Sequence, residues 1–122
     1  MKIAYFNTDD KPDRVIDWYI GNNGKFAIYY YKDNPQERIL ADLIVDEYHR
    51  RSGRGNAMMD YIESHFDGLI LKVACGSWQE AWYRRRGWTN YGDNNDGEYL
   101  WLTQPEKQGN FPAIVEPRKR KE

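Results

Sequence analysis

The passage Leu43-Ile44-Val45-Asp46-Glu47-Tyr48-His49-Arg50-Arg51-Ser52-Gly53-Arg54-Gly55-Asn56-Ala57-Met58-Met59 constrains this chain more than any other. An apolar run enters a glycine-punctuated turn and leaves it directly as a helical pattern. Ala57, Met58, Tyr61, Ile62 and His65 share one face of a helix ending near His65. A helix begun this way has first-turn N–H groups with no intrahelical acceptor, and such groups attract anions. Gly53 and Gly55 permit positive φ and close approach of a ligand. Arg50, Arg51 and Arg54 bring guanidinium groups to the same backbone. A pyrophosphate suits this cradle, although a plain glycine loop with solvated arginines has the same composition.

The flanking sequence predicts a short strand over 2–6, then a helix of about two turns. Pro12 opens that helix, Val15, Ile16 and Tyr19 recur along it, and Gly21-Asn22-Asn23-Gly24 stops it. Residues 25–31 and 37–45 are rich in β-branched and aromatic side chains around the turn Asp33-Asn34-Pro35, which predicts a hairpin. Residues 69–74 form a nearly continuous apolar run, as in a strand buried on both faces. Strand, loop, helix and strand then make a βαβ unit with parallel neighbours. Ser77 can cap a second helix, with Trp78, Ala81 and Trp82 inward and Gly87 as its stop. Residues 88–91 and 98–103 flank a Gly-Asp-Asn turn and predict a closing hairpin. The fold class is therefore α/β (α+β), a mixed, mostly antiparallel sheet with a central parallel βαβ unit and flanking helices.

Hydrophobic residues make up 40% of the 122 positions and aromatics 16%, enough for one core in which large rings supply much of the volume. Residues 1–104 are read as a single domain. Residues 105–122 are read as a loosely held tail, containing Pro105, Pro112 and Pro117 and ending Arg118-Lys119-Arg120-Lys121-Glu122. A net charge of −1 gives no global attraction to nucleic acid. Cys75, the one cysteine, excludes an intramolecular disulfide and suits a reducing compartment, where it is expected as a small buried residue. No apolar run approaches the roughly 18 residues of a membrane span, so a cytoplasmic protein with no membrane partner is expected.

Arg50-x-x-Gly53-x-Gly55 resembles the Q/R-x-x-G-x-G/A signature of the GNAT N-acetyltransferases. Tyr83-Arg84-Arg85-Arg86-Gly87-Trp88, downstream in the correct order, resembles the same family's Y-x-x-x-G-F. Together the resemblance covers roughly residues 39–102. It implies acetyl-CoA as cosubstrate, with its pantetheine arm along the strand ending Leu43-Ile44-Val45. Its pyrophosphate would lie at the amides of Arg51, Ser52, Gly53, Arg54, Gly55 and Asn56, with Arg50 at the Q/R position. The implied reaction is direct attack of a primary amine on the thioester, polarised by backbone N–H groups near Leu43 to Val45. Tyr83 would act as general acid toward the departing thiolate.

An ammonium with a pKa near 10 must first lose its proton, and Asp42, Glu47 and His49 are the candidate bases by sequence proximity. No metal is implied. The acceptor is an amine of a small molecule or a protein, and the resemblance also admits a homodimer. The alternative is a catalytically inactive GNAT-fold protein that docks on a macromolecular partner. An RNA-binding module using Arg84 to Arg86 and the tail is the third reading.

Overall fold

The computed structural model describes residues 3–21, 24–45 and 54–106. In chain order these form β1 (Ile3–Asp10), β2 (Arg14–Gly21), β3 (Gly24–Tyr31), β4 (Ile39–Val45), α1 (Arg54–His65), β5 (Ile70–Ala74), α2 (Trp78–Arg85), β6 (Thr89–Asn95) and β7 (Tyr99–Thr103). The expected fold class is observed: a mixed, mostly antiparallel sheet with one parallel pair, and two helices. The chain divides into two compact units, Met1–Phe66 and Asp67–Glu122.

In the first unit β1 to β4 run as an antiparallel meander. The helix expected from Pro12 is instead the β1–β2 hairpin and strand β2. Lys11 N–H donates to the Arg14 carbonyl at 2.9 Å, so Pro12 sits in a tight turn. The following Val-Ile-Asp-Trp-Tyr-Ile run has the β-branched and aromatic content of a strand. Pairing with β1 on one side and β3 on the other satisfies its backbone. Gly21 pairs with Gly24 at the close of the next hairpin rather than stopping a helix. The predicted 25–31 and 37–45 hairpin is present as β3 and β4. Along α1, Met58, Met59 and Ile62 are fully buried. Phe66, just past its end, meets Phe26 and Tyr19 edge-on, and those two rings stack at 4.9 Å.

In the second unit β7 pairs with both β5 and β6. Leu69, Ile70, Leu71 and Val73 are buried with Leu100, Leu102 and Trp88, as the apolar run predicts. Gln104 closes this core: its backbone N–H donates to the Leu69 carbonyl at 3.0 Å and its Oε1 accepts from the Leu69 N–H at 2.8 Å. The inner face of α2 differs from the expected one. Trp78 is 70% exposed and Ala81 is exposed, while Tyr83 packs against Trp88 on one side and Trp82 on the other. The inward stripe of this two-turn helix lies one residue further round than the Trp78-Ala81-Trp82 reading placed it. Cys75 is half-exposed rather than buried, and its Sγ lies 3.6 Å from Asn95 Oδ1.

Candidate functional site

The antiparallel register of β3 against β4 is interrupted at one place. Ala27 faces Ala41 and Lys25 faces Ile44, so Phe26 alone opposes both Asp42 and Leu43. This is a β-bulge, in which the extra residue is left out of the ladder. Asp42 takes φ +50°, the only positive φ on a non-glycine residue among those described. The left-handed region costs an L-residue about 1–2 kcal/mol, and Asp bears it better than most because its short polar side chain bonds locally. Leu43, Ile44 and Val45 continue the strand to the glycine–arginine loop.

Arg54, Gly55 and Asn56 form the first residues of α1, so Gly55, expected in the turn with positive φ, lies inside the helix instead. Glu47, His49, Arg50, Arg51, Ser52 and Gly53 lie outside the described residues. β4 and α1 thus flank residues 46–53, and the bulge lies in β4 upstream of them.

In the second unit, Ser77 caps α2. Its Oγ accepts from the Glu80 N–H at 3.1 Å and donates to the Ala74 carbonyl at 2.7 Å. Glu80 Oε1 accepts from the Gly76 N–H at 2.6 Å and Oε2 pairs with Arg84 at 2.7 Å. The Gly76 N–H and then Arg84 hold the Glu80 carboxyl below its usual range. At the other end Trp88 N–H donates to the Tyr83 carbonyl at 3.1 Å and Gly87 N–H to the Arg84 carbonyl at 2.9 Å. With Gly87 at φ +98°, these are the paired bonds of a left-handed helix stop. The Gly87-Trp88 part of the motif is therefore architectural. A Cβ at Gly87 would lie 3.3 Å from Pro105 Cβ, and Trp88 is 1% exposed.

What remains chemical in that motif is the Tyr83 hydroxyl. The ring packs between Trp82 (5.2 Å) and Trp88 (5.6 Å). Burial pushes the phenol up to about 12, with Arg86 opposing. It is thus a firmly protonated donor at neutral pH. Among the described residues no cluster of His, Cys, Asp and Glu could hold a metal ion.

The bulge is the feature the sequence did not announce. Its signal would have been a glycine, and the position carries Asp42.

No protein-family model and no curated protein matches the chain. Solved structures do. A GNAT-family protein of Bacteroides thetaiotaomicron superposes with a TM-score of 0.61 at 10% identity, over 83% of this chain and 68% of that one. The chain has the GNAT fold. An acetyltransferase of Thermus thermophilus matches with a TM-score of 0.56 at 15% identity, over 77% of this chain and 65% of that one. A Bacillus anthracis protein in complex with acetyl coenzyme A matches with a TM-score of 0.51 at 15% identity, over 79% of this chain and 64% of that one. This GNAT-fold chain thus spans about two thirds of the length of those structures. Among its described residues no helix is long and apolar enough to cross a membrane.

Proposed function

We propose that this chain is an acetyl-CoA-dependent N-acetyltransferase that acylates a primary amine. The observation that carries the proposal is the β4 bulge at Asp42 and Leu43, in the strand that precedes the glycine–arginine sequence and α1. A break in the ladder frees backbone polar groups beside a strand that would otherwise be fully paired. Acetyl-CoA meets the residues present: N–H groups for its amides and carbonyl, and a basic helix entry for its pyrophosphate. When bound, it supplies the activated acetyl group.

The chain's own residues have defined tasks in this reading. Backbone N–H groups of residues 43–45 polarise the thioester oxygen as charge develops. Asp42, Glu47 and His49 remain the candidate bases for the ammonium. The family resemblance assigns Tyr83 to the leaving thiolate. A phenol near 12 lies about 3.5 pK units above a thiol near 8.5, so full proton transfer is uphill by roughly 5 kcal/mol. Tyr83 therefore supports the thiolate as a hydrogen-bond donor rather than as an acid that surrenders its proton. A cytoplasmic setting and a homodimer are compatible with this role.

A second reading, a GNAT-fold protein that docks on a macromolecule, draws on exposed rings such as Trp78 (70%) and Phe6 (63%). One experiment separates the two. Acetyl-CoA at about a hundred times its Kd should stabilise the chain by about 2.7 kcal/mol, and an amine panel should then release CoA thiol. Gly55→Asp should abolish both. Stabilisation without release from any amine favours docking; neither effect at millimolar acetyl-CoA sinks the transferase.

A further inference from the structure

The first unit carries a cavity of about 310 Å3 that the cofactor strand does not line. Phe6, Trp18 and Ile20 form its apolar walls, and Asp9 and Lys25 bring one charge of each sign. Its size is at the lower end for small-molecule sites. Phe6 lines it because β1 is bulged there: Tyr5 faces Tyr19 and Asn7 faces Trp18, leaving Phe6 as the extra residue, 63% exposed. The Trp18 indole is fixed, its Nε1 donating to Asp9 Oδ2 at 3.0 Å. Lys25 Nζ lies 5.3 Å from the Trp18 ring centroid and takes part in none of the ion pairs among the described residues.

Register ties this cavity to β4. Trp18 faces Ala27, which faces Ala41, the residue before the bulge. Ile20 faces Lys25, which faces Ile44, the residue after it. The cavity's two rows therefore flank the bulge, which lies in the row between them, opposite Phe26. Trp18 is two strands away, about 10 Å, and the Lys25 backbone is one strand away, about 5 Å. Directly opposed residues share a face, so Lys25 and Ile44 lie on the same side of the sheet.

We propose that this cavity is the acceptor subsite, and that the acceptor is a free α-amino acid with an apolar or aromatic side chain. The inference rests on the transferase reading above. Its carboxylate pairs with Lys25, its side chain lies over Trp18 between Phe6 and Ile20, and its amine points along the rows that flank the bulge, toward β4. Asp9 is a positioning residue that holds the indole. In the transfer the neutral amine nitrogen forms a bond to the acetyl carbon and the C–S bond breaks. The sulfur leaves with the electron pair, and the proton lost by the amine balances it as CoA thiol.

The test titrates L-phenylalanine, phenylalaninamide and glycine into the full chain without acetyl-CoA, reading the Trp18 indole N–H resonance. Phenylalanine should shift it saturably. The amide, which lacks the carboxylate, and glycine, which lacks the side chain, should each bind at least about tenfold more weakly. Lys25→Gln should cost phenylalanine about tenfold in affinity while leaving the amide unchanged, a pattern that a merely structural lysine would not give. Equal binding of acid and amide, or no shift at 10 mM phenylalanine, overturns the proposal. If acetyl-CoA binds and phenylalanine does not, this inference alone fails. If phenylalanine binds at Trp18 and acetyl-CoA does not bind, the amino-acid site stands and the transferase reading fails.

Discussion

Strand β4 and the end of helix α2 both place a residue at positive φ, and they do so in opposite ways. At Gly87 a glycine takes the left-handed position, the freed carbonyls of Tyr83 and Arg84 are both bonded, and buried Trp88 pins the chain beyond. At Asp42 a non-glycine residue takes it, and the ladder beside it is broken. The first arrangement is how a helix is stopped at low cost. The second places a left-handed non-glycine residue in a bulge, the kind of strain that clusters at ligand-binding sites. Positive φ alone therefore does not distinguish the two positions; the broken register at Asp42 does.

Three substitutions separate the two arrangements. The largest effect belongs to Tyr83, packed against the helix stop. Its pKa rises from the ordinary 10 to about 12 in the fold, so the fold favours the protonated phenol. That stability is complete below pH 10 and is lost as pH climbs toward 12, a fall of about 2–3 kcal/mol. Denaturant titrations at pH 9 and 12 should show the fall, and Tyr83→Phe should remove about 2 kcal/mol of it, the phenols of Tyr19 and Tyr29, also raised by burial, keeping a remainder; an unchanged slope in the variant would show that Tyr83 is not its source.

Next, Gly87→Ala forces an alanine into φ +98° and brings a Cβ to 3.3 Å from Pro105. A loss of about 2 kcal/mol in urea unfolding is expected; a neutral result would mean the stop is not held as described. Smallest is Asp42→Gly, which relieves the left-handed cost and should raise stability by up to about 1 kcal/mol, with β4 still bulged. If it destabilises, the strain at Asp42 is not real.

The sequence made much of this legible, for reasons tied to particular residues. Asp33-Asn34-Pro35 between two aromatic, β-branched runs marked the β3–β4 hairpin, and Met58 and Ile62 at helical spacing marked α1, although Gly55 lies inside the helix rather than before it. Ser77 and Gly87 bracketed α2 because each does a job few other residues do. The N-terminal helix failed because Pro12 serves the first turn of a helix and a hairpin turn alike. Val15, Ile16 and Tyr19 keep helical spacing, whereas in β2 the adjacent Val15 and Ile16 face opposite sides of the sheet. Partner strands β1 and β3 decided the matter, and a single segment carries no record of its partners. That error also hid the cavity, since Trp18 and Lys25 meet only when β2 and β3 pair. The bulge at Asp42 was invisible for a similar reason: register is a property of two strands.

The central claim is that the β4 bulge supplies the backbone groups that receive acetyl-CoA. An amide-resonance titration of the full chain with acetyl-CoA tests it most directly. Saturable shifts are expected at Asp42, Leu43 and Ile44, with Asp9 and Asp10 at the end of β1 unmoved. Saturable binding that leaves residues 42–44 unshifted would contradict it.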